Sequence, residues 1–183
     1  MLVECGFVRA VTNDGDEYTF TPSFSRIAAL GSPHEIVATF AALHGPRAPQ
    51  EAAYVLACLC DQEDFAPLIG CRDGDAWTPG VMPQAEQIIV AQHLMRHGIA
   101  GTARPESGGG KYADRFDAHE YVAAARVHLG LSSADAEALS MTEFQLMCEM
   151  KFPDAQKAKE KDIPTREEYD AAMKRLDEVQ RGA

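Results

Sequence analysis

Apolar and polar positions alternate in two short runs near the start of the chain. Phe7 belongs to the first run, and Tyr18 and Phe20 alternate with threonines in the second. This period of two is typical of a strand with one buried face. The residues between the runs, 13–16, read Asn-Asp-Gly-Asp, and such residues favour a tight turn because they tolerate positive φ. The pattern predicts a β-hairpin over residues 1–21 that packs on the rest of the protein.

From Pro22 onward the apolar positions recur every three or four residues, as they do in amphipathic helices. Ser32, Pro33 and Glu35 have the order of a capping box, in which a serine and a glutamate satisfy the first backbone amides of a helix. The pattern predicts helices over about 23–30, 33–44, 50–62, 83–97, 117–129 and 140–151, with a further short helix that begins at Ser132.

Two segments lack this helical spacing and are predicted to be loops. Residues 70–80 carry turn signals and the only tryptophan, Trp77, and residues 99–114 are polar and rich in glycine. The helices and these loops form a predicted body over residues 22–153. The expected fold class is mainly α, with an N-terminal β-hairpin followed by a compact multi-helix body and a C-terminal amphipathic helix.

Beyond Pro153 the composition changes. Residues 154–162 are charged and lack large apolar side chains, so 154–163 is predicted to be a solvated linker before a final helix at 164–181. The apolar positions of that helix form one narrow stripe of Tyr169, Met173, Leu176 and Val179. A helix beyond a charged linker must bury such a stripe somewhere. The stripe is therefore the candidate partner-binding surface or a self-association seam, and folding back on the body is the alternative.

The charge balance restricts the classes of partner. The chain has 183 residues, fits one domain, and carries 17 Lys and Arg against 28 Asp and Glu, a net charge of −11. Such a surface repels phosphates, so no nucleic-acid partner is expected. No apolar run has the length of a membrane span, and no signal peptide is evident. The five cysteines are an odd number, which indicates reduced thiols in a cytoplasm.

Glu86, His93 and His97 are the most suggestive group for chemistry. They are seven and four residues apart and share one face of a predicted helix. Two histidines at that spacing can bind zinc, but the zinc-protease pattern needs a glutamate where this chain has Leu94. Alternatively, His97 interacts with the helix C-terminus beside Gly98. We therefore assign no catalytic residue, metal or cofactor, and a metal-dependent enzyme that uses these three side chains stays an alternative.

Several sequence blocks together resemble an uncharacterised family of proteins from the tail region of tailed phages and prophages. The blocks are residues 4–6, 18–24, 30–37, 88–98, 128–132, 141–145 and 151–153. The segment 131–153 is also similar to the C-terminal part of tail assembly chaperones, where a short helix pair carries a Met-Thr element. Here that element reads Met-Thr-Glu-Phe.

The resemblance implies a non-enzymatic tail assembly chaperone. Such a protein binds the tape measure protein, the tail tube protein or both, in the cytoplasm of the bacterial host during phage assembly. A structural tail or neck component that is retained in the virion is the alternative. The resemblance supplies no catalytic residues, and it implies neither a membrane partner nor a cofactor.

Overall fold

The computed structural model describes residues 5–73, 76–101 and 114–153, together with Arg166. The chain divides into two compact units, Met1–Met147 and Cys148–Ala183. The described elements lie in the first unit, except that the last helix continues a few residues beyond Met147.

Helices dominate the described parts of the chain. The α-helices are α1 (Phe24–Ala28), α2 (Pro33–Ala42), α3 (Ala48–Leu59), α4 (Ala66–Ile69), α5 (Gln84–Met95), α6 (Ala118–Ala124), α7 (Ser133–Ala138) and α8 (Met141–Lys151). The strands are β1 (Val8–Val11), β2 (Glu17–Phe20), β3 (Gly70–Asp73) and β4 (Ala76–Pro79). An N-terminal hairpin precedes a multi-helix body, so the predicted mainly α fold class is confirmed.

The predicted N-terminal hairpin is present and is joined to the body. β1 and β2 pair antiparallel with Val8 opposite Phe20, and Tyr18 and Phe20 are buried. Directly after β2, the amide of Thr21 donates to the carbonyl of Leu59 at 3.0 Å. This bond ties the hairpin to the C-terminal end of α3. The hairpin was predicted over residues 1–21, and its first strand begins at Val8.

Two capping boxes set the starts of α2 and α8. The Glu35 carboxylate accepts hydrogen bonds from the backbone amide and the hydroxyl of Ser32, at 2.8 and 2.6 Å. These bonds lower the pKa of Glu35. Glu143 accepts from the amide of Ser140 at 2.9 Å in the same way. The sequence predicted the first box but not the second.

α5 and α6 each continue into a π-helical segment, which the sequence pattern did not predict. These segments are Arg96–Ala100 and Ala125–Leu129. Gly98 was expected to end the helix after His97, but the helical chain continues to Ala100. A Cβ on Gly98 would lie 2.6 Å from Cδ1 of Ile27. Gly98 therefore allows close packing against α1 and does not act as a C-cap.

The core is formed where α3 and α5 pack along each other beneath α1. Its fully buried large side chains include Phe20, Phe24, Ile27, Val55, Leu56, Leu59, Leu94 and Met95. Burying a side chain of this size stabilises the fold by about 1.5–3 kcal/mol. No helix in the described ranges combines the length and the apolar character that crossing a membrane requires.

The segment 70–80, which was predicted to be a loop, is a second β-hairpin. β3 and β4 pair antiparallel, with Gly70 opposite Pro79 and Arg72 opposite Trp77. The prediction failed because each strand has only four residues and the side chains of β4 are all exposed. Such a short, exposed strand leaves no alternation of apolar and polar positions in the sequence.

Candidate functional site

The structure brings together two of the three side chains that the sequence singled out for chemistry. The ring centroids of His93 and His97 are 4.5 Å apart, with the ring planes tilted by 50°. Glu86 is exposed and does not join them. Across the described ranges, no group of three or more His, Cys, Asp or Glu side chains is arranged to hold a metal ion. The geometry there is that of a histidine pair.

Both imidazoles of this pair are partly buried. Nδ1 of His97 shares a hydrogen bond of 2.8 Å with the hydroxyl of Thr142, a fully buried residue on α8. His97 therefore bonds a neighbouring helix rather than the end of its own helix. Nε2 of His93 is buried with no hydrogen-bond partner among the described residues. Burial lowers the pKa of both histidines, and the positive charge of Arg96 lowers it further.

The candidate partner-binding stripe belongs to the predicted C-terminal helix at 164–181. Its four residues, Tyr169, Met173, Leu176 and Val179, lie outside the described residues. The role of the stripe stays a prediction from the sequence.

A second site, which the sequence did not predict, is built around the β3–β4 hairpin. Gly70 has φ +107°, and a Cβ there would lie 2.6 Å from the carbonyl oxygen of Thr78 and 2.8 Å from the ring of Trp77. A Cβ on Gly80 would lie 2.3 Å from the carbonyl oxygen of Leu68. Only glycine permits these approaches. The two glycines therefore bring the base of the hairpin against α4 and place Trp77 over β3.

A buried glutamine fixes the hairpin base to α5. Nε2 of Gln87 donates to the carbonyls of Ile69 and Met82, each at 2.9 Å. These two carbonyls lie on either side of the hairpin in the chain. Gln87 is almost completely buried, so both bonds form away from water, where an unpaired carbonyl is costly. One side chain thus holds both ends of the hairpin in place.

Between this hairpin, α3 and α5 the surface forms a groove of about 740 Å³. This volume lies in the range of about 300–1,000 Å³ that is typical of binding pockets in proteins. The groove is lined by Pro49, Gln50, Ala53, Tyr54, Ala57, Phe65, Gly70, Cys71, Arg72, Trp77, Gln84 and Gln87. We call this surface the hairpin groove.

Three aromatic side chains line the hairpin groove. Tyr54 on α3 and Trp77 on β4 are each 45% exposed, and Phe65 is partly buried. The hydroxyl of Tyr54 donates to the carbonyl of Leu30 at 2.9 Å, which fixes the direction of its ring. Burial also raises the pKa of this hydroxyl. The groove therefore offers large, oriented apolar surfaces that are still accessible to another molecule.

One face of α3 also lines the hairpin groove. Pro49, Ala53 and Ala57 line it at intervals of four residues, so they lie along the same side of the helix over a length of about 12 Å. Their small side chains allow another backbone to approach closely. Among the described residues that line the groove, Arg72 is the one with a charge, and the other polar side chains are mainly amides.

The sequence predicted only parts of this groove. Trp77 was recognised as the sole tryptophan, and the helix that carries Tyr54 was predicted. The groove itself depends on contacts between segments that are distant in the chain, 49–57, 70–77 and 84–87. Periodicity describes one element at a time and contains no information on such contacts.

Comparison with known proteins gives one match. Residues 45–171 match the model of a family described as Family of unknown function (DUF6246). The matched range includes every residue that lines the hairpin groove and both histidines of the pair. Neither a curated protein nor a solved structure matches the chain.

Proposed function

The chain belongs to DUF6246, a family of unknown function, and we propose that it is a non-enzymatic tail assembly chaperone of a tailed phage or prophage. In this proposal the hairpin groove binds an amphipathic helix of the tape measure protein while tail tube subunits assemble around it. The biological setting, tail assembly in a phage or prophage, comes from the sequence resemblance. One structural observation supports the proposal: the hairpin groove is lined by three aromatic side chains and by small residues on one face of α3.

The shape of the hairpin groove favours a helix as its occupant. Amphipathic helices bind in apolar grooves and anchor large side chains every three or four residues. Here Ala53 and Ala57 place small side chains on the part of α3 that lines the groove, and Tyr54 and Trp77 line the same groove. Tryptophan and tyrosine are enriched among the residues that dominate binding energies. Trp77 is therefore expected to contribute most to partner binding.

The charge of the protein suits a chaperone for an aggregation-prone helix. A net charge of −11 keeps a complex soluble, and it favours encounter with a partner that carries an excess of Lys and Arg. Once such a helix is bound, its apolar face is covered by the groove and no longer available for aggregation. The proposed mechanism therefore needs binding and release, but no chemical step.

Co-expression with a candidate tape measure protein from the same gene neighbourhood tests this function. The measured quantity is the fraction of tape measure protein that stays soluble and co-purifies. We expect the native chain to raise this fraction and Trp77→Ala to abolish most of the effect, since loss of a central aromatic residue costs about 2 kcal/mol or more of binding energy. Val127→Ala is the matched control, because Val127 is 77% exposed and does not line the groove.

Three other outcomes would change the account. A soluble fraction that does not respond to the native chain contradicts the chaperone function. Loss of binding with Tyr169→Glu/Leu176→Glu but not with Trp77→Ala would place the contact on the C-terminal stripe and contradict the role of the groove. Detection of this chain in purified particles by mass spectrometry would favour the structural tail or neck component, because a chaperone is absent from the finished virion.

A further inference from the structure

The His93–His97 pair lies where separate segments of the chain meet the π-helical segment Arg96–Ala100. A Cβ on Gly6 would lie 2.2 Å from Cβ of His97, so the N-terminal turn packs directly on this histidine. α1 packs on the next residue, since Ile27 occupies the space beside Gly98. The segment is thus confined on two sides by parts of the chain that are far from it in sequence.

α8 confines the same segment on a third side. The hydroxyl of Thr142, in the first turn of α8, bonds Nδ1 of His97 at 2.8 Å. Nε2 of Gln145, one turn later, donates to the carbonyl of Ala100 at 3.0 Å. These two bonds join the N-terminal part of α8 to the π-helical segment. One of them is made by the imidazole of His97, which can take up a proton.

The charged groups near the pair do not favour a proton on either ring. Arg96, on the same segment, adds positive charge that acts on both imidazoles. On α8, the carboxylate of Glu143 is held by the amide and hydroxyl of Ser140. On α1, the guanidinium of Arg26 is bonded to the end of α3. In the N-terminal turn, Cys5 is the titratable residue among those that the structure describes. The pair is therefore opposed by a cation and buried against mainly neutral groups.

Burial, and then neighbouring positive charge, lowers the pKa of both histidines below the ordinary value of 6.5. The unfolded chain consequently takes up protons at a higher pH than the folded pair does. Stability from the neutral pair is fully present above the ordinary histidine pKa and is lost as the pH falls below it, toward the lowered pKa of the folded state. The same pH dependence applies to the free energy of any local opening that exposes the two rings to water.

We propose that the His93–His97 pair is an acid-sensitive latch, which holds the first turn of α8 on the π-helical segment while both imidazoles are neutral and releases it when they are protonated. A charged imidazole needs water around it, and the two rings are too close for both charges to be tolerated without it. Moving the first turn of α8 away from His97 admits that water. Neither bond of the latch involves α3.

Hydrogen exchange of the full chain tests the latch. Protection of the amides in the first turn of α8, including Glu143 and Phe144, is compared between about pH 7.5 and about pH 5.5 after correction for intrinsic exchange rates, with α3 as the internal reference. We expect the protection of α8 to fall about tenfold or more, since each pH unit below the ordinary histidine pKa contributes up to a factor of ten per ring. We expect the protection of α3 to be the same at both pH values.

Substitution of the rings separates the latch from a general effect of acid. His93→Phe/His97→Gln keeps a ring at the first position and an amide that can bond Thr142 at the second, and it should remove the acid response. His93→Gln/His97→Gln serves the same purpose if the phenylalanine ring does not fit. His128→Gln, at an exposed histidine of the other π-helical segment, should respond like the native chain. Constant protection of α8 in the native chain, or an unchanged acid response in a folded double variant, overturns the proposal.

Discussion

At the scale of single residues, Gln87 is the side chain on which the hairpin groove most depends. Its amide nitrogen bonds two carbonyls at 2.9 Å each, one before the β3–β4 hairpin and one after it. The polar glutamine lies on the buried face of α5, a place where sequence patterns favour an apolar side chain. A buried polar group of this kind indicates a specific bonding requirement rather than a packing preference.

We expect Gln87→Leu to lower the free energy of unfolding by about 1–3 kcal/mol, because the carbonyls of Ile69 and Met82 lose their bonds away from water. Urea unfolding, followed by circular dichroism, measures the change. Gln84→Leu is the matched control, since Gln84 lines the same groove on the same helix but is exposed. Equal stability of the two variants would show that the two carbonyl bonds do not hold the hairpin.

At the scale of elements, the sequence predicted those features that depend on neighbours in the chain. The N-terminal hairpin, the capping box at Ser32 and the helix that carries His93 and His97 all follow from spacing, turn residues and capping. The β3–β4 hairpin did not follow, since its position depends on close approaches at Gly70 and Gly80 that only the folded chain contains. The two π-helical segments, Arg96–Ala100 and Ala125–Leu129, were not predicted either.

The second hairpin allows a direct test of this argument. Gly70 and Gly15 both have positive φ, +107° and +92°, but only Gly70 has backbone within reach of an added Cβ. Gly15→Ala should cost about 1–2 kcal/mol for the backbone conformation alone. Gly70→Ala should cost more, by about 1–3 kcal/mol, because the methyl group overlaps the carbonyl oxygen of Thr78 and displaces the hairpin.

Unfolding in urea measures both variants, and the emission of Trp77, the only tryptophan, reports the position of the hairpin in the folded state. We expect a shifted emission maximum in Gly70→Ala and a native maximum in Gly15→Ala. Equal destabilisation of the two variants would contradict the close approach at Gly70.

At the scale of the whole molecule, the chain has a groove between distant segments and a net charge of −11. The candidate site was predictable from the sequence only in part: the histidine pair was identified, but Glu86 is not near it, and the hairpin groove was not identified at all. Side chains on one helix can be related through its periodicity. A groove between α3, α5 and a hairpin requires the tertiary arrangement of all three.

The central claim is that the hairpin groove receives a partner helix, and the emission of Trp77 tests it most directly. Titration of the purified native chain with a soluble helical fragment of the tape measure protein should shift this emission to shorter wavelength in a saturable way, because the bound helix covers a ring that is 45% exposed in the free protein. The affinity should also fall as salt is added, since the chain carries a net charge of −11. Binding that is detected by calorimetry without any change in Trp77 emission would contradict the account.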